Sequence, residues 1–242
     1  MNDTAMDPAK TRLIEAILPH VAFDGWSETA FAAAVTETGM NPAHARTLCP
    51  RGAVDLAVAF HRSGDAAMAA AVAAADLGGM RYRDKVIFAI RARLDAVTDK
   101  EAVRRGVALF ALPHMAAEGA RLTWGTADAI WRALGDTSED INWYTKRATL
   151  SGVWGAVVLY WLGDDSLGAQ ATDDFIGRRI DDVMRIEQVK AQVRGNALLR
   201  PVMAPLERIM GMVKAPPRMP PGDLPGYWSD SGEGPPAPGQ QG

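Results

Sequence analysis

From residue 8 to about residue 193 the apolar side chains recur at helical spacing, and a Gly, a Pro or a capping side chain stands wherever that spacing lapses. β-Branched residues are scattered rather than alternating over four or more positions, so strand signals are nearly absent. An all-α fold follows. Pro8 suits a first helical turn, with Leu13, Ile14, Ile17 and Leu18 on one face and Gly25 as the stop. Ser27 reads as the N-cap of a second helix carrying Phe31 and Val35, which Gly39 ends. Asn41-Pro42 opens a short third helix, closed by Pro50. Longer helices are predicted over about 54–77, 83–97, 101–117, 127–134, 141–162 and 169–193, the first of them stopped by Gly78-Gly79.

At 242 residues, 48% of them hydrophobic and 23% charged, the chain can bury one sizeable core. A net charge of -3 supplies no field to draw nucleic acid from a distance. Cys49 is the only cysteine, which excludes an intrachain disulfide and a multi-cysteine metal site. No run of about 18 apolar residues is present, so no spanning segment is expected. The opening MNDTAMDPAK lacks an apolar signal core and an Arg-rich transit pattern, which reads as a bacterial-type cytoplasmic start. The chain divides into a helix-turn-helix-like part (1–50), a helical core (51–195), an amphipathic segment (196–214) and a Pro/Gly-rich tail (215–242) expected to be disordered.

Reactive constellations are scarce. The chain has no GxGxxG, P-loop, GxSxG or HExxH motif and no Glu-x-x-His pair. His20, His44, His61 and His114 lie far apart and read as ordinary helix residues, and Cys49 beside Pro50 as a small buried apolar one. The pairs Asp164-Asp165, Asp173-Asp174 and Asp181-Asp182 read as solvated helix faces, with Asp181 placed to meet Arg185 and Asp182 to meet Arg178. No catalytic residue, metal or cofactor is expected. The first three helices follow the helix-turn-helix of TetR-type regulators in outline. Yet residues 1–60 hold four basic residues (Lys10, Arg12, Arg46, Arg51) against seven acidic ones, and the third helix offers only His44 and Arg46. Phosphate contacts dominate nucleic-acid affinity. A TetR-type regulator with a ligand pocket is therefore the alternative reading, and no nucleic acid is expected as a partner.

The most informative stretch is DTSEDINWYTKRATLSGVWGAVVLYWLGDDS, residues 136–166. Asp140 can cap a helix whose first turn holds Trp143 and Tyr144, and whose later turns are apolar on nearly every side. Such a helix is expected to be buried all round, with Gly152 and Gly155 leaving room for a neighbour or an apolar ligand. NWYTKRATLSGVW, then LYWLGDDS, then DFIGRRIDDVMRIE at 174–187 resemble the signature region of the ninth member of the coenzyme Q biosynthesis series, over about residues 113–190.

The resemblance implies a TetR-like bundle that is not itself an enzyme. It binds an isoprenoid quinone intermediate or a phospholipid and presents it to the di-iron hydroxylase that acts on demethoxyubiquinone. It also implies docking of that hydroxylase at Asp140, Asn142, Trp143 and Tyr144, a homodimer, and a C-terminal helix lying on the membrane. The segment that fits such a helix holds Val202, Leu206, Ile209 and Val213 at i, i+4, i+7 and i+11, with Met203, Met210 and Arg208 beside them. Pro201 and Pro205 depart from the pattern and predict a short or kinked start. The protein would then be cytoplasmic and peripheral to the inner membrane. An apolar pocket is expected on the long central helices, lined by Phe88, Leu109, Phe110, Leu150, Trp154 and Val158.

Overall fold

The computed structural model describes residues 6–195, with side chains described as far as residue 185. The amphipathic segment at 202–213 and the Pro/Gly-rich tail lie outside the described residues. Nine α-helices and a single 3-10 turn make up the described chain. They are α1 (Pro8–Asp24), α2 (Glu28–Glu37), α3 (Pro42–Leu48), α4 (Ala53–Ala74), α5 (Tyr82–Asp95), α6 (Lys100–Phe110), α7 (Ala116–Ala133), α8 (Ile141–Leu162) and α9 (Gln170–Gly195).

The helices begin where capping chemistry allows. Asp7, Ser27, Asn41, Asp99 and Asp140 each accept a hydrogen bond from a backbone N–H of the first turn they precede. Pro8 and Pro42 take first-turn positions, where a missing N–H costs nothing. Two boundaries differ from the sequence expectation. The predicted helix over 101–117 stops at Phe110, because Pro113 cannot donate and its ring would collide with the preceding turn. The chain restarts at Ala116 and runs to Ala133, passing through Gly119 and Gly125, whereas the sequence places a helix only over 127–134. Helix-weakening glycines are overridden there by the apolar face of Leu122, Ala127, Ile130 and Trp131.

Two apolar clusters organise the fold. The first joins α1, α2 and α3 to the start of α4, around Leu13, Ile17, Phe31 and Leu56. The second joins the end of α4 to α5, α7, α8 and α9, around Met68, Ile90, Ile130, Val157 and Ile176. α4 is common to both, so the N-terminal helices pack on a helix of the larger bundle rather than forming a module apart. α6 crosses the junction and fastens it through its basic residues. Arg105 donates to the carbonyl of Ala22 at the end of α1, while Arg104 donates to Leu162 and Lys100 to Asp164 at the end of α8. Cations at helix C-termini are favoured by the carbonyl dipoles left open there. Trp26 adds a buried bond from Nε1 to the Ala102 carbonyl at 3.0 Å.

Asp173 and Asp181 lie on a solvated face as expected, and from there they also tie α9 to α5. Asp181 pairs with Arg83 of α5 rather than with Arg185, and Asp173 pairs with Arg91. Asp182 pairs with Arg179 at 2.8 Å, and Arg185 stands at 4.0 Å. Asp164 accepts from the backbone N–H of Ser166 and Thr172 and from the Thr172 hydroxyl, and these bonds hold its carboxyl well below the usual range. α5 supplies cations opposite α9, which its own i,i+4 spacing could not reveal.

Candidate functional site

Between the two clusters lies a cavity of about 540 Å³, walled by α1, α4, α5, α6, α7 and α8. Its lining is mostly apolar: Leu18 of α1, Phe60 of α4, Val103 and Val107 of α6, Trp154 and Val158 of α8. Small residues create the space, because a Cβ added at Gly155 of α8 would meet nothing within 4 Å. α8 is not buried all round as its composition suggests. Leu159, in the cavity lining, is 62% exposed, and Tyr160, stacked on Phe175 of α9, is 39% exposed.

The six residues expected to line a pocket divide evenly. Phe110, Trp154 and Val158 stand in the cavity wall. Leu150 is buried in the second cluster, Phe88 packs against that cluster, and Leu109 packs against the first. These three correct the expectation. Periodicity places a residue on an apolar face, but only packing decides whether that face meets a neighbour or a void.

One wall carries a polar group that sequence reading dismissed. His61 of α4 is hydrogen bonded at 2.9 Å to the Thr126 hydroxyl, which donates at 2.9 Å to Asp65 Oδ1. Arg93 Nε donates to the same Asp65 oxygen at 2.6 Å, and Arg93 Nη2 donates to the His61 carbonyl at 2.8 Å. The Arg93 side chain is only 5% exposed, and its guanidinium lies 5.3 Å from the centre of the Trp154 ring. Burial pushes the His61 imidazole down to about 4, with Arg93 adding to the shift and Asp65 opposing it, so the ring is neutral at pH 7. Gly64 makes the arrangement possible, since a Cβ there would fall 2.4 Å from Arg93 Nη1. A mid-helix glycine followed by Asp, one turn after a His, was the available sequence signal.

The second candidate surface is the start of α8. Asp140 caps the helix through Asn142 N at 3.0 Å, and the Asn142 side chain donates back to Asp140 at 2.8 Å. Trp143 and Tyr144 are half-buried rather than fully exposed. The Trp143 ring packs between Tyr144, Trp124 and the guanidinium of Arg147, which sits 4.1 Å from its centre. Arg147 is buried and is held by Asp128 at 2.6 Å and Asp136 at 3.1 Å. The aromatic pair therefore rests on a charged platform that fixes its orientation.

Elsewhere, Cys49 is fully buried and its thiol is pushed up by that burial. No group of three His, Cys, Asp or Glu able to hold a metal occurs among the described residues. No described helix is long and apolar enough to cross a membrane. In α3, Arg46 is tied to Glu28 at 2.6 Å, and Arg51 just beyond it to Asp55 and Glu118.

The fold is a TetR-like helical bundle enclosing an apolar cavity. It aligns with a crystal structure of a TetR transcriptional regulator from Nitrosomonas europaea at a TM-score of 0.61 and 15% identity, covering 72% of this chain and 97% of that one. Residues 116–187, which build α7, α8 and the first part of α9, match the COQ9 family, as the signature read from the sequence requires. The mitochondrial ubiquinone biosynthesis protein COQ9 of Drosophila melanogaster is 28% identical over 195 residues, 78% of this chain and 60% of that protein. The Bos taurus COQ9 protein is 34% identical over 101 residues, 41% of this chain and 32% of that one. The Dictyostelium discoideum relative, a probable coq9, is 26% identical over 193 residues. The chain thus spans about 60% of the length of the fly relative.

Proposed function

We propose that this chain is an accessory protein of ubiquinone biosynthesis that holds an isoprenoid quinone intermediate, or a phospholipid, in its apolar cavity. It presents that lipid to a di-iron hydroxylase, which does the chemistry. The observation that carries the reading is the coincidence of the family match with the cavity: residues 116–187 contribute two of its walls. A cavity of about 540 Å³ falls in the range that takes drug-sized apolar ligands. The COQ9 relatives bear ubiquinone biosynthesis in their names, which supports the same pathway here. The aromatic pair Trp143-Tyr144, with Asp140 and Asn142, is the proposed hydroxylase contact. The segment at 202–213 is proposed to rest on the membrane that stores the lipid, and a homodimer is proposed from the same resemblance.

The TetR-type regulator is the second reading, favoured by the fold neighbour alone. Phosphate binding needs free cations, and the two arginines in and beside α3 are engaged by carboxylates. The lipid reading is the better supported.

Organic extraction of the purified protein followed by mass spectrometry tests it. The wild type should yield an isoprenoid or phospholipid at near-stoichiometric amount. Gly155→Phe, which grows into the cavity from α8, should lose most of that lipid while keeping its helical circular dichroism. Recovery of lipid undiminished in Gly155→Phe, or none from the wild type, would remove the basis for the carrier role.

A further inference from the structure

The cavity is not uniformly apolar, and its polar groups are gathered at one place. Arg93, His61 and Gly64 all line it, with Asp65 and Thr126 bonded directly behind. Arg93 spends Nε on Asp65 and Nη2 on the His61 carbonyl, while Nη1 has no hydrogen-bond partner among the described residues. Nη1 is also not among the buried atoms sealed off without a partner, although the side chain is only 5% exposed. The cavity is the space left for it to face. An unpaired donor on a buried guanidinium costs free energy unless a ligand or water accepts from it.

Charge decides what kind of acceptor fits. Arg93 is already neutralised by Asp65 at 2.6 Å. His61 carries no charge at pH 7, because burial holds its imidazole down. The remaining ionisable residue of the lining is Glu15, exposed at the edge. The cavity therefore presents a directed donor within surroundings whose net charge is zero to negative. A phosphate entering there would leave water for a site without a spare cation, which is costly. A neutral oxygen would lose little on leaving water and would gain a charge-assisted bond.

We infer that Arg93 Nη1 is the recognition point for a neutral oxygen acceptor, of the quinone or ester carbonyl class, at the head of an apolar ligand. The ligand enters head first. Its oxygen-bearing end lies against Arg93, His61 and Trp154, and its tail runs toward the rim where Leu18 and exposed Leu159 stand. The inference rests on the cavity holding an apolar ligand, and it adds how one such ligand is told from another.

Displacement of the neutral dye Nile red from the full chain tests it with three probes of equal tail length: a decyl benzoquinone, decylbenzene and decyl phosphate. The wild type should bind the quinone about tenfold or more tighter than either other probe. Arg93→Lys keeps the charge opposite Asp65 but loses Nη1, and should abolish the quinone's advantage while leaving decylbenzene unchanged. Gly64→Ala, whose Cβ would displace the guanidinium, should act in the same direction. Equal wild-type affinity for quinone and decylbenzene would overturn the inference and leave the apolar-ligand reading standing, and that comparison needs no variant to fold. Tightest binding of decyl phosphate would overturn it in favour of an anion site. Failure of all three probes to displace the dye would remove both readings.

Discussion

Asp136 sits at the turn between α7 and α8, and neutralising it should loosen the start of the helix that carries Trp143 and Tyr144. Its side chain is only 3% exposed. Burial alone would raise its carboxyl, but hydrogen bonds from Lys146, Ser138 and Arg147 override that effect and hold it down at about 2. Lys146 Nζ donates at 2.7 Å, Ser138 Oγ at 2.8 Å and Arg147 Nη1 at 3.1 Å. Relative to an ordinary aspartate near 3.8, the depression corresponds to about 2 to 3 kcal/mol of stability when the carboxylate is ionised. Asp136→Asn preserves the shape and removes the charge, leaving buried Arg147 with Asp128 as its remaining carboxylate. It should destabilise by about 2 to 3 kcal/mol at pH 7, read from urea midpoints followed by tryptophan fluorescence. The sign with pH is fixed. A carboxyl depressed on folding contributes fully above its unfolded value near 3.8, and the contribution drains away as pH falls through about 2. The difference between wild type and Asp136→Asn should therefore shrink across that window. A loss below about 0.5 kcal/mol at pH 7, or a difference that does not shrink in acid, would refute the reasoning.

Two further outcomes are expected. Tyr144→Ala should weaken hydroxylase capture by about 2 kcal/mol with little change in thermal stability, whereas Trp143→Ala should lower both, because its ring also covers Arg147; a normal capture level for both variants in a pull-down would dismiss this surface as the docking site. Deleting residues 197–242 should sharply reduce sedimentation with anionic liposomes while deletion from 215 onward should not, and equal sedimentation of all three chains would end the membrane assignment.

The sequence by itself determined that the chain is helical and roughly where most helices start. Both are local matters: Asp7, Ser27, Asn41, Asp99 and Asp140 cap whatever turn follows them, and Pro8 and Pro42 accept only a first-turn place. The signature around Trp143 and Trp154 was likewise legible, and it located the family match at 116–187. The stop at Phe110 was written in Pro113 but masked by the apolar run on either side of it. What only the tertiary structure decided was which apolar faces meet a void. Leu150 and Trp154 lie one helical turn apart on α8, yet the first is closed by the core and the second lines the cavity. It also decided partners across helices, sending Asp181 to Arg83 and Asp173 to Arg91. The polar wall was the least legible feature of all. His61 and Asp65 stand one turn apart on α4, but Arg93 and Thr126 come from α5 and α7, and no spacing along the chain joins them to that pair. Each is an unremarkable helix residue until the packing of those three helices brings their hydrogen-bonding groups within 3 Å of one another, in a place where water cannot compete.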